Sequence, residues 1–309
     1  MNRLIALVLG AAVCFGVVEY SPMRHWLSDF EHRQEMIAYA EMMRNAGDEP
    51  LTAVGERAHE YNERLLAGTL DMSGQHADQY YLNQLKVGSS KSIGHISYEA
   101  LGIHVPLRLG TDDDVLAQGA GHLYGTALPV GGEGIRPVLS AHSGMVESKM
   151  FTPLLKAEIG QVFTVTTAVG TLWYEVSEIS TVEPWEIEEI EAVPGEDLIT
   201  LMTCTPIGIN THRLLVTGHR IDGPLHPDPQ ILSFWAWPGL PWPLFWWLFA
   251  VAVTAGVGKY FYVTKPAKRA AALAAGVKPL PRMPKARRAA IEERLEAASF
   301  PNELKLRTV

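Results

Sequence analysis

The stretch Leu198-Ile-Thr-Leu-Met-Thr-Cys204-Thr-Pro-Ile-Gly-Ile-Asn-Thr-His-Arg213-Leu-Leu-Val216 sets one cysteine between two short apolar runs and puts an arginine at the head of the second. Ile199, Leu201 and Thr203 alternate with Thr200 and Met202, the period of a pleated strand, and Leu214, Leu215 and Val216 form a second short run. Pro206, Gly208 and Asn210 lie between them, residue types that turn a chain back on itself. Two strands joined this closely bring a thiol and a guanidinium together without any long-range argument.

Working outward, the same texture extends from Ile93. Short β-type runs cover 93–98, 103–109, 137–141, 162–167 and 172–176, with short helical candidates only at 112–118 and 149–157. Many short strands at regular spacing predict a mainly β fold, a closed or nearly closed barrel or a sandwich. Thr111 ahead of Asp112, Asp113 and Asp114 reads as a helix start, where carboxylates favour the N-terminal dipole, rather than as a metal site.

The chain has two cysteines. Cys14 sits in the uncharged run Ile5 to Val18, which leaves Cys204 as the one thiol expected on the solvent side. A cysteine is nucleophilic only as thiolate, and its ordinary pKa of about 8.5 calls for a histidine, a cation or both nearby. Of eleven histidines, His142 is the best placed: it ends the run Pro137-Val-Leu-Ser-Ala-His and is followed by Ser143-Gly144, so a strand delivers the ring to a sheet edge. His212 adjoins Arg213, and strand alternation sends the two to opposite faces. His95, His104, His122 and His219 carry no local feature that singles them out.

The ends of the chain are apolar. The first run is short for a span of ~20 residues. No small-x-small cleavage site follows it, so retention as an anchor is expected over removal as a signal peptide. Trp235-Ala-Trp-Pro-Gly-Leu-Pro-Trp-Pro opens a second block that stays uncharged from Leu244 to Gly258, flanked by Tyr260, Phe261 and Tyr262, and predicts a transmembrane helix. From Thr264 on there are eleven basic residues against four glutamates, a net of +7, which leaves −15 on the rest of a chain whose net charge is −8. The positive-inside rule then puts both termini in the cytoplasm and residues from about 20 to 240 outside, in a two-span membrane protein. The basic tail suits an anionic inner leaflet rather than nucleic acid.

The domain layout read from these shifts is an anchor at 1–20, a helical stalk and possible lid at 21–91, a catalytic β domain at 92–230, a membrane segment at 231–263 and a basic tail at 264–309. Within the stalk, a helical region from Ser21 to Ala67 is expected to bury Trp26, Phe30, Ile37 and Ala40 and to be interrupted at Asp48-Glu-Pro50. Residues Gly68 to Lys91 have the composition of an exposed flap.

Thr200-Leu-Met-Thr-Cys204 resembles the sortase signature Thr-Leu-x-Thr-Cys, Arg213 stands at the spacing of the sortase arginine, and His142 matches the histidine that follows a hydrophobic strand in that family. Gly121-His-Leu-Tyr-Gly-Thr-Ala-Leu-Pro-Val-Gly-Gly132, the stretch from Cys204 to Val216 and the second span make the likeness greatest to class C sortases, the pilin polymerases of Gram-positive bacteria. The resemblance covers roughly residues 93 to 221. It implies an eight-stranded sortase barrel and a cysteine transpeptidase that cleaves a Leu-Pro-x-Thr-Gly-like sorting signal between Thr and Gly. Cys204 is then the nucleophile, His142 the acid and base, and Arg213 the oxyanion and substrate holder. Thr203 and Thr205 would line the substrate, with a pilin lysine or a cell-wall precursor amine as acceptor. No cofactor and no metal are implied.

Two features complicate the likeness. Pilin-polymerising sortases usually carry a lid with an Asp-Pro-aromatic triplet, and residues 65–90 hold none; Asp71-Met72 or Asp78-Gln-Tyr80 are degenerate candidates, with Met72 or Tyr80 as the plug. The acidic stretch Glu183 to Asp197, before the cysteine strand, reads as a solvated loop, with attraction of a lysine-bearing partner as the functional alternative. A sortase of another class that attaches proteins to the wall, and a membrane-tethered binding module with an incidental cysteine, complete the set of readings.

Overall fold

The computed structural model describes residues 2–70, 79–223 and 241–274. The described residues fall into two compact units, one drawn from 13–248 and the other from 2–12 and 249–274.

The alternating runs of the sequence become strands β1 (Gly94–Tyr98), β2 (Ile103–Leu109), β3 (Ala120–His122), β4 (Val138–Ser140), β5 (Val162–Thr167), β6 (Gly170–Val182), β7 (Leu198–Thr205) and β8 (His212–Ile221). They close into a barrel in the order β1-β2-β3-β4-β7-β8-β6-β5, with β1 and β5 sealing it. The pairs β2–β3 and β4–β7 are parallel. A parallel pair needs a long crossover, and the chain supplies one between β4 and β7 by running through β5 and β6. Ile96, Leu107, Val165, Ile199, Leu201 and Val216 share one buried cluster with Tyr98, Phe163 and Tyr174. The three rings follow one another at centroid distances of 5.7 and 5.8 Å. Each such side chain contributes about 1.5–3 kcal/mol on burial.

Three strands differ from their sequence expectation. β3 was not expected, because three residues that include Gly121 leave no readable alternation. β6 runs on to Val182 and bends at an irregularity between Val176 and Glu178, beyond the expected 172–176. β8 starts two residues earlier than the apolar run, so it takes in His212 as well as the Arg213 expected at its head. The helical candidates shrink to α5 (Asp113–Leu116, its N-cap Asp112) and a 3-10 turn at Thr152–Lys156.

Helices α1 (Asn2–Val18), α2 (Tyr20–Ala46) and α3 (Asp48–Leu66) precede the barrel. The interruption expected at Asp48-Glu-Pro50 is at Gly47, whose φ of +78° is a conformation that favours glycine. Asp48 and Pro50 form the first turn of α3, where a missing N–H costs nothing. The buried face of α2 is also displaced from the expected stripe. His32, Met36 and Tyr39 are buried, while Trp26 and Phe30 stack on each other half-buried, and Ile37 and Ala40 are half-buried too. That face lies on β2: the Tyr39 hydroxyl donates to the Ile93 carbonyl at 2.8 Å, and the Arg108 guanidinium contacts both Glu35 oxygens at 2.7 and 2.8 Å. Covered by α2 outside and by the core inside, β2 is buried at all but one position.

The flap expected at 68–91 is in part a core segment. In and just after the short helix α4 (Gln79–Leu82), Tyr81, Gln84, Leu85 and Val87 are buried. Its glycines, serines and lysines gave it the composition of a loop, but the alternating apolar side chains dock on the barrel.

The last helix, α6, spans Trp242–Ala274. Among the described residues no helix is long and apolar enough to cross a membrane, so the two expected spans rest on the apolar runs of the sequence. Residues 235–240 of the aromatic, proline-broken stretch and the basic tail after Ala274 lie outside the described residues, while Trp242 and Pro243 open α6.

Candidate active site

Strands β7 and β8 pair antiparallel with Cys204 directly opposite Arg213 and Thr205 opposite His212. Directly opposed residues project on one face of a sheet with Cβ atoms about 5 Å apart, so the thiol and the guanidinium share a face. Between them the chain passes a cis bond at Thr205–Pro206 and closes a tight turn in which Ile209 and Asn210 N–H both donate to the Pro206 carbonyl, at 3.0 and 2.9 Å. Asn210 takes a φ of +61°, which asparagine tolerates better than most residues. Its carbonyl then accepts from Arg213 Nη1 at 3.2 Å. Among the described residues no carboxylate lies within ion-pair distance of Arg213, so its charge is not neutralised there.

The histidine arrives from the parallel neighbour. In the β4–β7 pair Ser140 is level with Met202, and beyond the last paired residue Ala141 N–H donates to the Met202 carbonyl at 3.2 Å. Continuing this register by two residues sets His142 level with Cys204. Two side chains fix the alignment: Thr203 Oγ1 donates to the Ala141 carbonyl at 2.7 Å, and Ser143 Oγ donates to the Cys204 carbonyl at 2.6 Å. Cys204, His142 and Arg213 are all half-buried. The topology therefore brings the three together at one end of β4, β7 and β8.

Thr203, expected against the substrate, is buried with its hydroxyl committed to Ala141; Thr205 is half-buried at the strand end. Ser143 was not singled out by the sequence reading. Its one signal there was its place directly after the histidine.

A glycine braces the turn at this edge, and two polar residues fix the acidic stretch farther back along the sheet, toward the other end of β7. Gly144, with φ +72°, leaves no room for a Cβ against the side chain of Ile207, so the turn after His142 packs on the β7–β8 connection. Arg136, buried ahead of β4, donates from Nε to Thr200 Oγ1 at 3.0 Å and from Nη2 to Thr217 Oγ1 at 3.1 Å, and Nη1 holds the Glu191 carbonyl at 3.0 Å. Burial lowers its pKa, opposed by Glu178, Glu189 and Glu196. The acidic stretch is thus pinned to the two strands that carry Cys204 and Arg213. Asp197, its last carboxylate, accepts from the Gly132 N–H at 2.9 Å and the Tyr174 hydroxyl at 3.0 Å. His212 faces Glu183 at 3.4 Å.

The lid candidates Asp71, Met72 and Asp78 lie outside the described residues. Tyr80 is placed against Tyr61, at 5.9 Å between centroids, with the Arg64 guanidinium 5.1 Å over its ring. Its neighbour Tyr81 is fully buried: the hydroxyl accepts from Gly110 N–H at 3.0 Å and lies 2.9 Å from His122 Nδ1. His122 Nε2 donates to the Ala127 carbonyl at 2.6 Å, which leaves Nδ1 to accept from Tyr81. Burial pushes the pKa of His122 down to about 4, so this is a neutral structural imidazole. His95 is likewise pushed down to about 4 by burial and by His104.

Residues 96–221 match the model of the sortase domain. Among solved structures, sortase C1 from Streptococcus agalactiae is 34% identical with a TM-score of 0.57, covering 62% of this chain and all of that one. Clostridium perfringens sortase C with the C-terminal cell wall sorting motif is 37% identical with a TM-score of 0.55, covering 61% of this chain and 98% of that one. A curated relative, Sortase A of Streptococcus agalactiae, is 31% identical over 125 residues, which is 40% of this chain and half the length of that protein. The chain belongs to the sortase family, and the solved structures named here are sortases C.

Proposed function

We propose that this protein is a membrane-anchored cysteine transpeptidase of class C that cuts a Leu-Pro-x-Thr-Gly-like sorting signal between Thr and Gly and joins it to a pilin lysine, polymerising surface pili. The observation that carries this reading is Cys204 opposite Arg213 on β7 and β8, with His142 brought level from β4.

The Cys204 thiolate attacks the threonine carbonyl carbon, and the oxygen that becomes negative lies toward the Arg213 guanidinium. Preorganised charge at that position is commonly the largest catalytic contribution. His142 gives a proton to the departing glycine amine as the C–N bond breaks, leaving a thioester on Cys204. An incoming lysine amine then attacks the thioester, His142 takes its proton, and the thiolate is released. Proton and charge balance without any further reactant.

Sortases C as structural relatives support the class, and the sorting motif named with the Clostridium perfringens enzyme supports the substrate. The relative named Sortase A favours a second reading, in which a cell-wall precursor amine is the acceptor. Membrane attachment draws support from exposed apolar side chains: Leu9, Val13 and Val17 on α1, and Leu244, Phe249 and Val253 on α6. Water is a costly neighbour for such a surface, at about 25 cal/mol per Å². In this arrangement the barrel is outside and both termini are cytoplasmic.

The test is amine exchange. Full-length protein is incubated with a Leu-Pro-x-Thr-Gly peptide and either a lysine-bearing pilin peptide or a wall-precursor amine. A Thr-to-lysine isopeptide supports the first reading, a wall-precursor adduct the second, and equal turnover by Cys204→Ala removes both.

A further inference from the structure

The loop that follows His142 is fastened on its outer side by α2. Ser21 Oγ donates to the Val146 carbonyl at 3.2 Å, and His25 Nε2 donates to the Met145 carbonyl at 3.2 Å. Ser28 Oγ donates to Ser148 Oγ at 2.8 Å, and Asp29 pairs with Lys149 at 2.9 Å. Positions 21, 25, 28 and 29 follow the spacing of one helical face, so the helix meets the loop as a single ridge. The loop is also attached at the chemistry, where Phe151 N–H donates to the His142 carbonyl at 3.0 Å and Ser143 holds Cys204, and at its far end in the core, where Met150 and Phe151 are buried.

Close packing does not set the gap between helix and loop. A cleft of about 230 Å³, lined by Arg24, His32, Arg108, Gln118 and Glu147 among others, opens beside these contacts. Discrete polar bonds therefore fix the loop's distance from α2. The most buried is Ser28 to Ser148, whose acceptor residue is only 4% exposed, with the partly exposed ion pair of Asp29 and Lys149 next to it. With these released, the cleft leaves residues 145–149 room to shift, and His142 stands at the start of that loop.

We propose that α2 is a positioning element for His142, with Ser28 and Asp29 as its positioning residues. The catalytic consequence rests on His142 serving as the acid and base described above.

Two assays on the full-length protein separate this proposal from the function itself. Wild-type cleavage of a Leu-Pro-x-Thr-Gly peptide tests the function. Carbethoxylation of His142 by diethylpyrocarbonate, read by peptide mapping, tests the positioning whether or not the peptide is cleaved. The Ser28→Ala/Asp29→Lys double variant is expected to lower kcat about tenfold, the scale of one hydrogen bond plus one ion pair, with KM within about twofold. Its His142 should carbethoxylate several times faster. Lys149→Asp, which leaves the charges around His32 and His104 in place, should show part of the effect, and Asp29→Lys combined with Lys149→Asp should recover most of it. Unchanged His142 modification in the double variant, or a loss that charge reversal does not recover, overturns the proposal.

Discussion

Cys204 and Arg213 stand directly opposite one another across the β7–β8 ladder, nine positions apart in sequence and joined by a turn whose Asn210 carbonyl holds the guanidinium. This places a positive charge beside the thiol by backbone register alone. Arg213→Ala is expected to lower kcat by roughly 10²- to 10³-fold, the scale of a lost oxyanion partner. Arg213→Lys should recover only part of it, because a point charge does not reproduce a planar fork. Steady-state cleavage of a sorting peptide checks both; retention of most activity by Arg213→Ala would assign the oxyanion to other donors.

The turn after His142 is expected to be sensitive to a single methyl. Gly144→Ala forces a side chain into a φ of +72° and against Ile207. Strain of this kind costs about 1–3 kcal/mol, and it falls on the residue pair after the histidine. A drop in kcat is expected, with Ile207→Ala relieving the contact but not the backbone strain, so the Gly144→Ala/Ile207→Ala protein should recover partially. Thermal unfolding and kcat measured on the same three variants distinguish this from a general loss of fold.

Burial gives the barrel an acid-side weakness. His95 and His122 have folded pKa values near 4 against an unfolded value of 6.5. Above about pH 6.5 neither state is charged and the two contribute nothing to the pH dependence. Between 6.5 and 4 the unfolded chain takes up protons that the folded chain refuses, so stability falls with pH; below about 4 the loss levels off. Each site is worth up to roughly 3 kcal/mol in that window. Urea unfolding should show the decline, and the ring proton shifts of both histidines should stay constant from about pH 7 to about pH 5. Midpoints near 6.5 would place the rings in water.

Much of this site was readable before any fold was known, for reasons specific to each residue. The cysteine and arginine belong to adjacent strands, so local alternation and one turn suffice to pair them. His142 was marked by an apolar run ending at a turn, but its level with Cys204 depends on a parallel pairing, which leaves no trace in local sequence. The same limit hid Ser143 and the buried hydroxyl of Thr203. Tyr81, Leu85 and Val87 were misjudged because polar neighbours masked a docking face only four to seven residues long, and the α2 stripe because its true centre includes His32, a residue type seldom counted as core.

Tyr81→Phe offers a test of that corrected segment. It leaves His122 Nδ1 without the hydroxyl it accepts from, while the Gly110 N–H keeps the His122 carbonyl at 3.1 Å. A buried acceptor left unpaired costs about 1–3 kcal/mol, and chemical denaturation should register a loss in that range. A change below about 0.5 kcal/mol would mean the segment from Gln79 to Val87 adds little to the barrel's stability.

The most direct measurement is the mass of the enzyme itself. Full-length protein mixed with a Leu-Pro-x-Thr-Gly peptide and quenched in acid should carry, on the peptide that contains Cys204, the acyl group ending in threonine, discharged by hydroxylamine and absent from Cys204→Ala. Discharge by an added amine should need His142. Turnover of the peptide with no adduct on Cys204, or turnover that survives Cys204→Ala, would contradict a thioester mechanism at this strand end.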